Sequence, residues 1–142
     1  MKALAVICSA LVASACFAQA PDVAALYDVS SEGSSQKVKV GEKGKLVITF
    51  KTKDGSHISG EAPLKIELTG KDARLEKEKL TLADSVTKKE AGKDYVDPKF
   101  EVPFVVAAAG KATVEAKMTF FICTDKVCAR QQKTLSVPVE AN

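Results

Sequence analysis

The sequence is poor in the side chains that carry most enzyme chemistry. It holds one histidine, His57, in 142 residues. A lone histidine among scattered serines specifies no catalytic triad, and no G-x-S-x-G elbow accompanies it. Beside two thiolates it would still leave a structural zinc ion one ligand short. No cofactor or metal is expected. The formal net charge is only +3, and the basic residues are spread along the chain, so there is no footprint for nucleic acid. Long apolar runs are missing as well. The longest, Ala3 to Ala15, falls short of the roughly 20 residues that span a bilayer, and the mature chain is expected to have no transmembrane segment.

That run has a different use. Lys2 precedes it, and the small residues around Cys16-Phe17-Ala18 before Gln19 follow it, which is the pattern of an export signal. The expected organisation is a signal peptide over 1–18, an N-terminal segment over 19–35 and one domain over 36–142. The expected location is periplasmic or secreted. A lipoprotein anchored through Cys16 is the alternative that the same residues allow.

Of the four cysteines, Cys8 and Cys16 fall in this leader. The mature chain keeps Cys123 and Cys128, in the stretch "FFICTDKVCARQQ". Export places them where disulfides form and persist, so a Cys123–Cys128 bridge is expected.

The rest of the chain alternates with period two. Leu46, Ile48 and Phe50 share one face, as do Leu64, Ile66 and Leu68, and then Phe100, Val102, Phe104 and Val106. Leu75, Leu80 and Leu82 mark shorter strands. Glycines and Asp-Gly or Asp-Pro pairs punctuate these runs. About seven to nine short strands at this spacing predict an all-β, immunoglobulin-like antiparallel sandwich. Pro103 and Pro138 require edge positions or bulges. Residues 84–97 read as a solvated loop with room for a short helix.

The last two strands predict their own register. Setting Cys123 opposite Cys128 also sets Ala116 against Leu135, Val114 against Val137 and Ala112 against Val139. Three apolar pairs agree with the cysteine pair. The same alternation puts both thiols on the polar face of a hairpin over 111–122 and 129–139, beside a Phe121–Arg130 pair.

Such a bridge closes a tiny loop, so chain entropy contributes only about 2 kcal/mol. Cross-strand bridges that are strained or exposed are the more easily reduced ones, and Lys126 and Arg130 favour a thiolate, with Asp125 partly opposing them. Three functions fit the pair. It can exchange disulfides with a partner, it can staple a non-catalytic binding domain, or its reduced form can hold copper(I) with Met118 as a third soft ligand. Alternation turns Met118 toward the core, and His57 reads as a turn residue.

The segment "FEVPFVVAAAGKATVEAKMTFFICTDKVC" resembles the closing half of the N-terminal periplasmic domain of the thiol:disulfide interchange protein DsbD family. "DGSHISGEAPLKIEL" is similar to that domain's upstream segment, and together the resemblance spans most of residues 36–139. It implies an immunoglobulin-like sandwich whose cysteine pair, here Cys123 and Cys128, passes electrons by disulfide exchange. A stand-alone module of this kind would trade electrons with a periplasmic thiol-disulfide oxidoreductase or a membrane electron donor.

Overall fold

Period-two alternation becomes two stacked sheets. The computed structural model describes residues 22–88, 91 and 95–142. The expected signal peptide, the lipidation alternative at Cys16 and part of the 84–97 loop lie outside the described residues. A 3-10 turn, Val23–Leu26, leads into ten strands. They are β1 (Tyr27–Ser30), β2 (Lys37–Val38), β3 (Lys43–Thr52), β4 (His57–Ile58), β5 (Lys65–Lys71), β6 (Arg74–Leu75), β7 (Lys79–Thr81), β8 (Lys99–Val105), β9 (Gly110–Cys123) and β10 (Cys128–Ala141). A second 3-10 turn, Leu82–Asp84, is the only helical element in the described part of the 84–97 region. One sheet has the order β1-β3-β8-β6, and the other runs β2-β10-β9-β5-β7, with β4 also on β9.

The protein is an immunoglobulin-like β-sandwich. Its pairing is antiparallel except at one place, where β2 lies parallel to the end of β10 through Lys37↔Glu140 and Val38↔Ala141. The chain leaves β1 in one sheet, crosses over in residues 31–36 and enters the other sheet running the same way as β10. The apolar faces meet between the sheets. Phe50 and Tyr27 of one sheet each set an edge against Phe120 of the other, with ring centroids 5.0 Å apart. Edge-to-face packing of this kind adds to the burial of the rings themselves. Tyr27 also donates its hydroxyl to Gln131 Oε1 at 3.1 Å, a polar tie between the sheets.

Two departures from simple alternation have local causes. Val47 points away from the core yet is buried. Past Ser30 the first strand no longer flanks β3, and the crossing segment takes its place. The Ser34 hydroxyl donates to Val47 O and accepts from Val47 N, so one side chain stands in for a strand residue. At Gly44, opposite Phe104, a Cβ would sit 2.5 Å from the Phe104 ring. The ring fills the space a side chain would need. Neither proline takes an N–H out of the β3–β8 or β9–β10 ladder. Pro103 O accepts from Glu76 N on the side away from β3, and Pro138 lies in β10, an edge strand over most of its length.

Candidate functional site: a cross-strand disulfide at the end of a hairpin

The β9–β10 hairpin has the register predicted from its apolar pairs. Cys128 faces Cys123, Arg130 faces Phe121, and Leu135, Val137 and Val139 face Ala116, Val114 and Ala112. The strands are longer than expected, because the ladder runs on to the cysteines at one end and to Gly110↔Ala141 at the other. Cys123 and Cys128 are joined by a disulfide with their Cα atoms 4.0 Å apart, the close spacing of a pair that exchanges no backbone hydrogen bonds.

Residues 124–127 close the hairpin with bonds of their own. Thr124 N donates to Val127 O at 2.8 Å. The Thr124 hydroxyl accepts from Lys126 N and Val127 N, both at 3.2 Å. The turn is therefore held by a threonine as well as by the sulfur bond. Val127, at its tip, is one of the few large apolar side chains exposed to solvent.

The two cysteines are not equivalent, and here the structure corrects the expectation that both thiols are accessible. Cys123 is 2 % exposed, whereas Cys128 is exposed. The cause is their place in the sheet. Cys123 ends an interior strand, with Cys128 on one side and β4 on the other, where His57 is its direct partner. Cys128 begins β10, whose far side has no neighbouring strand at this end among the described residues. Cys123 still lies outside the central apolar cluster, on the face of β9 that turns away from the opposite sheet.

His57 belongs to this site, which a turn reading of the sequence missed. Directly paired residues project to the same side of a sheet, so His57, Cys123 and Cys128 form a row across three strands. Tyr95 stacks on the His57 ring at a centroid distance of 3.4 Å and an interplanar angle of 12°, and is itself 55 % exposed. No short-range pattern announces this. The row depends on β4 pairing with a strand more than sixty positions away.

Below Tyr95 the Ser85 hydroxyl, buried at 6 % exposure, ties the loop after Thr81 to β8. It accepts from Lys99 N at 3.1 Å and reaches Lys99 O at 3.2 Å. Thr87 Oγ1 extends the tie to Asp97 O at 2.8 Å. Ser85, Thr87 and Tyr95, with Ile58, Leu82 and Pro98, border an apolar cavity of about 200 Å³. That is smaller than the roughly 300–1,000 Å³ of ordinary small-molecule sites.

Met118 is 2 % exposed in the core, on the opposite face of β9 from Cys123, so the copper arrangement loses its third ligand. Among the described residues no three His, Cys, Asp or Glu side chains are grouped to hold a metal ion. No described helix is long and apolar enough to cross a membrane.

No protein-family model matches the chain, and no curated protein matches it. Solved structures similar to it include the cohesin module from a Clostridium perfringens ATCC13124 family 33 glycoside hydrolase, at 6% identity and a TM-score of 0.45. Another is murine CRIg, at 11% identity and a TM-score of 0.37. In each case 82% of this chain and 98% of the other are covered.

Proposed function

We propose that the protein is a thiol–disulfide exchange module in which Cys128 is the sulfur attacked and Cys123 the sulfur that leaves and later resolves. The observation that carries this reading is the unequal exposure of a bridge at the end of an open hairpin. An incoming thiolate needs a path along the S–S axis to one sulfur, and here only Cys128 faces solvent.

The exchange balances without any other reagent. A partner thiolate attacks Cys128 Sγ, a partner–Cys128 disulfide forms, and the Cys123–Cys128 bond breaks. Its electron pair stays on Cys123 Sγ, which takes a proton from water. The partner's second thiolate then attacks the partner sulfur, the mixed disulfide breaks, and Cys128 leaves as a thiolate. The partner dithiol ends oxidised and this chain reduced by two electrons, and the reverse sequence runs the other way. Arg130, two residues along the same face of β10 as Cys128, favours the thiolate in either direction. The hydrogen-bonded 124–127 turn and the apolar register keep the two sulfurs in place while the bond is open. Partners of the matching class are periplasmic thiol-disulfide oxidoreductases or a membrane electron donor.

The burial of Cys123 also favours a second reading, a structural staple in a binding domain. Titration of the purified protein in glutathione and thioredoxin redox buffers separates the two. Exchange predicts a couple above about −300 mV, and a staple predicts one below it.

A further inference from the structure

β10 is paired along its whole length on one side and almost nowhere on the other. It runs from Cys128 to Ala141, and every residue has a partner in β9. On its other side only Glu140 and Ala141 meet a strand, β2. Backbone direction alternates along a strand, and Glu140 N donates outward to Gln36 O, so the even-numbered residues turn their N–H and C=O groups to this outer side. Arg130, Gln132, Thr134 and Ser136 therefore present backbone groups that no strand takes up among the described residues. All four are exposed, and the one local partner there is Gln131 Nε2, which donates to Arg130 O at 2.9 Å.

Natural sheets blunt such edges or use them. Here the blunting is confined to the far end, where Pro138 has no N–H to offer and β2 covers the last two positions. The open part begins at the exposed Cys128. Residues 128–139 carry Arg130 and Lys133 and no acidic residue, while in the adjoining turn Lys126 is offset by Asp125. A second copy of the chain would bring the same two cations against this edge, whereas a strand bearing carboxylates would neutralise them.

We propose that the β10 edge from Arg130 to Ser136 receives an extended acidic segment of a partner protein as an added antiparallel strand, continuing the sheet beside Cys128. Antiparallel addition is the more stable pairing. It also brings the C-terminal end of the added segment to Cys128, where a cysteine in that segment would meet the exposed sulfur. The docking adds to the exchange reading by naming how a partner is held, and it does not rest on that reading.

Amide hydrogen exchange of the oxidised protein, followed by NMR, tests it. The probe is a blocked, cysteine-free peptide alternating glutamate with threonine or valine. Its addition should slow exchange at Arg130, Gln132, Thr134 and Ser136 by roughly tenfold or more. Ala129, Gln131, Lys133 and Leu135, already bonded to β9, should be unchanged. Gln132→Pro and Thr134→Pro each remove one outward N–H and none of the β9 ladder, as Pro138 does naturally, and should abolish the effect. No slowing at saturating peptide, uniform slowing, or equal binding of a lysine-containing peptide would overturn the proposal. So would slow exchange at the four amides in the free protein, or a dimer that protects them without peptide. Because the peptide has no thiol, a bridge that proves inert would sink the exchange reading and leave this one standing.

Discussion

His57 is the direct cross-strand partner of Cys123, and its ring lies flat against Tyr95. The β4 backbone closes one flank of Cys123 and Cys128 closes the other, so one sulfur of the bridge is enclosed by the sheet while its partner stands at an open edge.

In the reduced protein Cys128 should alkylate faster than Cys123. Timed iodoacetamide labelling read by peptide mass spectrometry should show at least about a tenfold preference for Cys128, since modification tracks exposure and thiolate character. Equal labelling, or faster labelling of Cys123, would remove the basis for assigning the attacked sulfur. A Cys123→Ala variant with reduced Cys128 should be trapped with a partner in its disulfide form, the Cys128 thiolate attacking one partner sulfur and releasing the other as a thiol, and Cys128→Ala should not.

The double variant Cys123→Ala, Cys128→Ala should fold at room temperature. The bridge closes too short a loop to contribute more than about 2 kcal/mol, and the 124–127 turn has its own hydrogen bonds. Urea unfolding should shift to a lower midpoint with an unchanged slope. A variant that is unfolded in buffer would favour the staple.

Asp84 anchors the 3-10 turn after β7. Its carboxylate accepts from Thr81 N at 2.8 Å and pairs with Lys77. The Lys77 hydrogen bond, then the Thr81 backbone hydrogen bond, hold its pKa below the usual value of 3.8. A depressed folded pKa means stability that is present above the unfolded value and lost as pH falls through the folded one. Asp84→Asn should therefore cost about 0.5–1 kcal/mol at neutral pH, the scale of a partly exposed ion pair. The gap to the wild type should close below pH 3.8, as chemical denaturation across an acid series will show.

Tyr27 behaves in the opposite sense. Burial, and secondarily the charge of Asp22, raise its pKa above 10.0. The folded state holds the phenolic proton more tightly, so this stability is complete below pH 10.0 and is lost as pH rises through the folded pKa. Tyr27→Phe keeps the edge contact with Phe120 and loses the bond to Gln131. It should cost about 1 kcal/mol at neutral pH and should flatten the alkaline decline seen in the wild type.

The longer strands β3, β5, β8, β9 and β10, their inward faces and the hairpin's register were legible in the sequence, because each rests on period-two alternation between neighbours in the chain; β1, in the segment read as preceding the domain, was not. Leu46, Ile48 and Phe50 cannot face the core in any other phase, and slipping β10 by one residue would turn Val137 and Val139 to water. The pairing of Cys123 with Cys128 followed from the same register. Alternation also showed which face carried the thiols, but not what would cover that face. That depended on β4, two residues long and without a pattern of its own, docking beside Cys123 and bringing His57 into the row. Likewise Val47, outward by its phase, is buried because the crossing segment lies over it, with Gly33 close to its side chain and the Ser34 hydroxyl bonded to its backbone. Local periodicity determines which way a side chain points. Its exposure, and so the difference between the two sulfurs and the free edge of β10, depended on which distant segments the tertiary fold laid alongside, since burial and open hydrogen-bonding groups are properties of neighbours in space.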